Sequence, residues 1–262
     1  MKPDYKNWVP KGLLAGFYIG DVVSLIILLI IRNAEIFTGT ALTVATIIVG
    51  ILFLAFVFMS VYLTNLYCAF SYTGKKQISA RIVNKVSDYV KLPENGEGLD
   101  VGCGSAALTI SCARKNPQGK MTGLDRWGKE YASFSKQLCE NNARAEGVEN
   151  ISFVQGDACK LDFPDETFDV ITSNYVYHNI PSRDRQSIIL ESLRTLKKGG
   201  TFVIHDYFTK AKYGDLTKLF NKLEDMGYEK VEFLDTTTGL FFTPKESAIL
   251  GLKGSGLLNG KK

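Results

Sequence analysis

Two patterns of apolar residues divide this chain. Gly12–Ile31, GLLAGFYIGDVVSLIILLII, and Ala41–Tyr67, ALTVATIIVGILFLAFVFMSVYLTNLY, are almost unbroken apolar runs joined by the polar stretch RNAEIFTGT. From Gly12 to Phe70 the only charged residues are Asp21, Arg32 and Glu35. An α-helix rises 1.5 Å per residue, so about 20 residues reach roughly 30 Å, the hydrocarbon thickness of a bilayer. The pattern predicts two transmembrane helices, about 12–31 and 41–67, joined by a tight turn. A buried hairpin in a soluble core is the alternative, although core helices of this length usually carry a charged face. A cleavable signal peptide fits poorly, because the first run is too long, lacks an obvious small-residue cleavage site and is followed directly by a second run. Lys2, Lys6 and Lys11 precede the first run, and Lys75, Lys76 and Arg81 follow the second. The positive-inside rule then puts both ends in the cytoplasm and the turn outside, with Trp8, Tyr62 and Tyr67 near the cytoplasmic interface. Asp21 is the odd residue, since a carboxylate midway along a span costs about 2.5–3.5 kcal/mol on insertion scales. It either faces a hydroxyl of the other helix, or marks an oligomer contact or a substrate path.

The pattern changes after residue 72, which sets two domains, an anchor at 1–72 and a second domain at 73–262. Ile78, Ile82, Val83, Val86, Tyr89 and Val90 recur at helical spacing and predict an amphipathic helix ending at LPENGEG. Short apolar runs follow at Gly98–Gly102, Lys120–Asp125, Ile151–Gly156, Phe168–Ser173, Thr201–Asp206, Tyr228–Leu234 and Ala248–Leu252. Helical stretches lie between most of them, at Ala106–Lys115, Lys129–Glu146, Arg183–Leu196 and Asp215–Met226. Such alternation predicts a parallel sheet with helices on both faces. Only the last two runs lack an intervening helix, which predicts a hairpin and one antiparallel strand. The terminal GLKGSGLLNGKK reads as a loose tail.

Charge and composition narrow the chemistry. The net charge is +4, of which residues 68–262 contribute +3, with no basic block long enough to track a nucleic-acid backbone. Five cysteines, none spaced C-x-x-C, read as reduced and mostly core residues. With only His178 and His205 as histidines, no zinc site of the usual Cys/His spacing is present, and no metal is expected.

Four polar positions fall at the carboxyl ends of successive predicted strands, where open α/β sheets bind ligands. They are the loop LDVGCGSAAL around Asp100–Gly104, then Asp125, Asp157 and Ser173–Asn174. Glycines in the first loop let a ligand approach the backbone without meeting a Cβ. A carboxylate at Asp125 can accept both hydroxyls of a ribose. That much fits either a nicotinamide dinucleotide or S-adenosylmethionine. An acidic residue ahead of the glycines would face a pyrophosphate unfavourably and suits a ligand with a cationic amino-acid end. Asp157, after the third strand, can accept from an adenine amino group. LKKGGTFVI supplies a glycine turn into the fifth strand.

Taken together, LDVGCGSA, GLD at 123–125, GDA at 156–158, FDVITSNYVYHNI and LKKGGTFVIHD resemble, in order and spacing, the motifs of the class I S-adenosylmethionine-dependent methyltransferases. The resemblance covers roughly Lys75 to Lys253. It implies an α/β, Rossmann-like seven-stranded sheet of order 3-2-1-4-5-7-6 with the last strand antiparallel, flanked by helices and here preceded by the transmembrane hairpin. It implies a cofactor-binding set of Asp100, Gly102, Cys103, Gly104, Asp125, Arg126, Trp127, Asp157, Ala158, Ser173 and Asn174. Within that set Asp100, Gly102 and Gly104 surround the methionine end and Asp125 takes the ribose hydroxyls. Asp157 and the backbone of Ala158 hold the adenine, and Ser173 and Asn174 line the methionine and the transferred methyl. Trp127 packs either beside the adenine or as an ordinary interface aromatic. Ala106 stands where a dinucleotide loop has its third glycine; read as one extra methyl at a helix start, it should be tolerated.

Methyl transfer from a sulfonium is an in-line displacement with an activated leaving group, so the protein supplies positioning and water exclusion. A base is needed only where the nucleophile carries a proton at high pKa. His178, just past the fourth strand, and Asp206, in the fifth, are the catalytic candidates; a structural histidine is the alternative for His178. Tyr175 and Tyr177 read as pocket wall. The Asn/Asp-Pro-Pro-Tyr pattern of the family's nucleobase amino methyltransferases is absent. The expected partner is therefore a small molecule, tilted by the anchor toward a hydrophobic or lipid-like one such as a quinone, isoprenoid or alkyl thiol. The expected location is a multi-pass membrane protein with a cytoplasmic catalytic domain. A soluble metabolite, with the anchor serving location alone, and a catalytically inactive membrane scaffold are the other readings.

Overall fold

The structure is a computed structural model that describes residues 2–34, 36–128 and 133–262. It divides into two compact units. One holds Asn7–Ser79, and the other holds Ala80–Lys262 together with the described residues before Asn7.

In the first unit, α1 (Lys11–Asn33) and α2 (Gly39–Phe70) pack as an antiparallel hairpin. Tyr18 bonds Thr64, Gly20 lies on the Phe56 ring, and Trp8 stacks at a tilt on Phe70. The helices are about 34 and 48 Å long at 1.5 Å per residue. Both are long and apolar enough to cross a membrane. A helix in a soluble core would bury such residues, yet Phe58 is 70% exposed and Leu54 65%. Asp21 lies opposite Ser60, whose Oγ donates to Asp21 Oδ2 at 2.7 Å. The carboxylate therefore faces a hydroxyl of the other helix.

In the second unit, buried Ile82, Val83 and Val86 give α3 (Ile78–Asp88) its inward face. The strands are β1 (Glu97–Val101), β2 (Lys120–Asp125), β3 (Ile151–Gln155), β4 (Phe168–Asn174), β5 (Leu196–Tyr207), β6 (Glu229–Asp235) and β7 (Ser255–Lys261). They form one sheet of order β3-β2-β1-β4-β5-β7-β6. β1 to β5 are parallel, and β7 runs antiparallel to both β5 and β6. The connecting helices are α4 (Ala107–Lys115), α5 (Lys136–Glu146), α6 (Arg185–Arg194), α7 (Lys210–Tyr213) and α8 (Leu216–Asp225). The inner strands read as near-continuous apolar runs because both faces are covered: Leu99, Val101, Ile171, Phe202, Ile204 and Leu258 are all fully buried. The chain winds outward from β1 to β3, then returns to place β4 on the other side of β1. This reversal opens a crevice beyond the carboxyl ends of β1 and β4, the usual ligand position.

Two expectations fail at the C-terminal end. Ala248–Leu252 is not a strand, because α9 (Pro244–Ile249) runs through its start. Thr243 and Glu246 cap that helix reciprocally with Pro244 at its first position. The last strand instead lies in the stretch expected to be a loose tail. Its glycines misled the pattern, and the structure shows their purpose. A Cβ on Gly256 would come within 2.3 Å of the Phe233 ring, and one on Gly260 within 2.7 Å of Phe202. The expected helix 129–146 begins at Lys136 in the structure, capped by the Ser135 side chain; its first four positions lie outside the described residues.

Candidate active site

The crevice is built around the loop after β1. Gly102 N–H and Cys103 N–H both donate to Leu124 O, at 2.7 and 2.9 Å, so the loop turns across the end of β2. Gly102 (φ +76°), Gly104 (φ +57°) and Ala106 (φ +70°) alternate in the left-handed region. At Gly102 a side chain is excluded twice, by φ and because a Cβ would lie 2.4 Å from Val176 Cγ1. That contact also brings the segment after β4 against the loop. Space is open above Gly104, where a Cβ would meet nothing within 4 Å.

Asp125, at the tip of β2, accepts from Gly104 N–H at 2.9 Å and Trp127 N–H at 2.8 Å, one on each oxygen. The carboxylate is therefore fixed in orientation while staying half-buried. Trp127 Nε1 donates to Gly104 O at 3.1 Å, and Cys139 Sγ to the same carbonyl. Arg126 is exposed, and its carbonyl accepts from Gln155. Asp157 is exposed, with Oδ1 held by Cys159 N–H at 2.8 Å, beside buried Ala158. Cys103 is buried, and burial together with nearby Cys139 pushes its thiol well above the ordinary range.

Not every expected residue faces the opening. Asp100 is 1% exposed, and its Oδ2 accepts from Thr109 Oγ1 of α4 at 2.6 Å. Burial, offset in part by that hydrogen bond, pushes its carboxyl up to about 7. Ser173 is also fully buried and spends its hydroxyl on Val101 O at 2.8 Å. Both side chains tie β1 to its neighbours. Tyr177 is a core residue bonded to Ser192.

Beyond β4 and β5 the polar groups converge. His178 Nδ1 is hydrogen-bonded to Asp206 Oδ1, and its backbone N–H donates to Asp206 Oδ2 at 3.2 Å. Asp206 is fully buried and also accepts from Tyr207 N–H. Next to this pair, His205 Nδ1 lies 2.9 Å from Asn174 Oδ1, and Nε2 lies 3.1 Å from Thr236 Oγ1. Burial holds His205 far below its ordinary range, at about 3, so the ring is neutral. Tyr175, at φ +56°, packs its ring against His178, His205 and Tyr207, and its hydroxyl meets Ser255 Oγ at 2.6 Å. Phe241 lies over His205 at 5.2 Å. Tyr207, Thr236 and Phe241 escaped the sequence reading. Thr236 and Phe241 belong to the segment joining β6 to β7, which was expected to be a plain hairpin.

Residues 93–237 match the family model described as a methyltransferase domain, more than half of the chain. The chain belongs to that family. It belongs to the class I S-adenosylmethionine-dependent methyltransferases. It is 30% identical over 156 residues to a demethylmenaquinone methyltransferase of Geobacillus stearothermophilus, covering 55% of this chain and 64% of that protein, less than two thirds of its length. A second such enzyme, from Bacillus pumilus, is 28% identical over 183 residues, covering 64% of this chain and 73% of that one. Among solved structures, the [4+2]-cyclase SpnF superposes with a TM-score of 0.55 at 21% identity over 71% of this chain and 82% of that one, a likeness of fold.

The residues of this methyltransferase fit its cofactor. The space above Gly104 gives room for a ligand at the loop backbone. Asp125 and Asp157 present carboxylates already oriented by backbone N–H groups.

Proposed function

We propose that this methyltransferase acts on a hydrophobic, hydroxylated aromatic acceptor of the quinol type, and that its N-terminal hairpin holds it in the membrane where such acceptors reside. The observation that carries the reading is the His178–Asp206 pair at an aromatic-lined end of the crevice. The names of the relatives, demethylmenaquinone methyltransferases, agree with it. The exposed apolar side chains of α1 and α2, and the lysines and arginine flanking them, support an anchor with both termini cytoplasmic.

In this reading Asp125 accepts the ribose hydroxyls and Asp157 the adenine amino group, with Gly102–Gly104 and Asn174 at the methionine end and Trp127 closing over the loop. The bound cofactor supplies an electrophilic methyl whose leaving sulfur needs no protonation. The protein's task is to raise the nucleophilicity of the acceptor. His178 donates Nδ1–H to Asp206, which leaves the Nε2 lone pair to take the proton of a ring hydroxyl. This makes the adjacent ring carbon nucleophilic enough to accept a methyl, and the hydrogen on that carbon then moves to the ring oxygen, which restores the aromatic quinol. Asp206 fixes the tautomer and stabilises the imidazolium that forms, the orienting role a buried carboxylate plays beside a histidine base. Tyr175, Tyr207 and Phe241 supply ring faces and edges that keep water from the reacting atoms.

The test uses the full chain purified in detergent with methyl-labelled S-adenosylmethionine. Label should enter an isoprenoid quinol lacking the ring methyl, and a soluble catechol should accept at least tenfold less. Replacing His178 with Asn should lower kcat about 10²–10³-fold, within the usual range for a lost general base, with cofactor affinity unchanged. Equal labelling of the soluble acceptor, or an undiminished kcat in H178N, refutes the proposal.

A further inference from the structure

The chain's first residues pack against the cofactor loop. Asn142 of α5 is 1% exposed, and its carboxamide serves two segments at once. Oδ1 accepts from Asp4 N–H at 2.7 Å, while Nδ2 donates to Asp4 O at 3.0 Å and to Ser105 O at 2.9 Å. A second bridge runs beside it, from Ser105 Oγ to Tyr5 O at 2.8 Å. The Tyr5 hydroxyl then donates to Glu146 Oε1 at 3.2 Å, and Arg114 pairs with the same carboxylate. Ser105 directly precedes Ala106, the left-handed non-glycine residue of the loop, so these bonds act next to its strained position.

We infer that residues 4–5, clasped by Asn142, are a working part of the cofactor site: Asn142 is a positioning residue, and the N-terminal segment and the cofactor stabilise each other through Ser105. The physical reason is local. A non-glycine residue in the left-handed region persists only where its surroundings over-determine it. Here one side of the loop is held by one buried carboxamide and one peptide segment, and the other by Leu124 O, the Asp125 carboxylate, Trp127 Nε1 and Cys139 Sγ. Without the first set, Ser105 loses its bonds to Asn142 and to Tyr5 O, the left-handed Ala106 beside it is less constrained, and the Gly104 amide shifts from the position in which it orients Asp125. Linkage then requires the reverse effect as well: cofactor occupancy must tighten the segment.

The inference rests on the glycine loop being the cofactor cradle, and the experiment separates the two. Binding of S-adenosylhomocysteine to the full chain in detergent is measured by calorimetry for the wild type, N142A, a chain lacking residues 2–5, the combination of both, and D125A. Both single changes should raise Kd about tenfold. The combination should raise Kd by clearly less than the hundredfold that independent effects would give, because both changes break the same Asn142–Asp4 bonds. Saturating S-adenosylhomocysteine should slow amide exchange in the peptide containing Asp4 and Tyr5 in the wild type but not in N142A, a readout that general destabilisation does not reproduce. The truncation removes no buried side chain, so it decides the matter if N142A does not fold. A truncated chain that binds within twofold of the wild type while D125A is impaired overturns the clasp alone. D125A binding like the wild type overturns the cradle assignment and the clasp with it.

Discussion

Replacing Asp100 with Asn should turn a nearly flat pH dependence of stability in the catalytic unit into one that rises with pH. Asp100 is buried against Thr109, and its carboxyl is raised from 3.8 to about 7. Between those values the unfolded chain has released the proton and the folded chain still holds it, so stability falls as pH rises from about 4 to 7. A shift of some three units corresponds to about 4 kcal/mol. His205 works in the opposite sense, since burial lowers it from 6.5 to about 3. Across that interval the unfolded chain binds the proton that the folded chain refuses, so stability rises with pH by about 5 kcal/mol. In the wild type the two slopes largely cancel. D100N keeps the oxygen that accepts from Thr109 and removes the falling limb, leaving the rising one. H205Q leaves only the falling one. For a unit of this size about 4 kcal/mol is roughly 8–16 °C in Tm. The assay is thermal unfolding from pH 4 to 8 in a W8F background, so that Trp127 reports the catalytic unit, with slopes compared rather than offsets. Parallel profiles for D100N and the wild type would show that Asp100 is ionised in the folded protein and would refute the reasoning.

Three further outcomes follow from the same geometry. Gly102→Ala combines an unfavourable φ with a 2.4 Å approach to Val176, and should cost about 2–5 kcal/mol in denaturant unfolding from strain plus overpacking. Ala106→Gly should stay within about 1 kcal/mol of the wild type and change the Kd for S-adenosylhomocysteine less than tenfold. Relief of a left-handed alanine, about 1–2 kcal/mol, is offset by glycine's backbone entropy and the lost buried methyl. A C-terminal reporter that is active only outside the cytoplasm should stay silent; activity there would overturn the proposed topology.

Much of the fold could be read from the chain because its signals are local and redundant. Strands β1 to β5 announce themselves as apolar runs with an Asp or Asn at or within two residues of the carboxyl end, and α4, α6 and α8 follow their periodicity. The misreading at β7 has a definite cause. SGLLNGK carries two glycines and a lysine, which in isolation predict a tail, and only the rings of Phe233 and Phe202 on flanking strands explain the missing side chains. Non-local packing of this kind leaves no periodic trace. At the candidate site, position along the chain is legible and side-chain direction is not. Asp100 and Ser173 stand at the expected strand ends, yet their side chains turn into the core, toward Thr109 and Val101 O. Of the residues that escaped notice, Tyr207 directly follows the fifth-strand motif, while Thr236 and Phe241 come from the segment between β6 and β7, far from any motif.

At Ala106, space and backbone conformation meet in one residue. From the chain alone it was one extra methyl at the start of a helix, a matter of space. The structure makes it a matter of backbone, since at φ +70° and ψ 18° it holds a conformation that glycine adopts without strain. It is fully buried, so its methyl also contributes packing. The two effects are of similar size and opposite sign, which is why alanine persists at a position whose dihedral suits glycine. The remaining strain is held by bonds from outside the loop, to Leu124 O and Asp125 on one side and to Asn142 and Tyr5 O on the other. A loop so held needs no third glycine, provided that both sets of partners are in place. Its dependence on the chain's first residues is then a consequence of the same substitution that made the motif look incomplete.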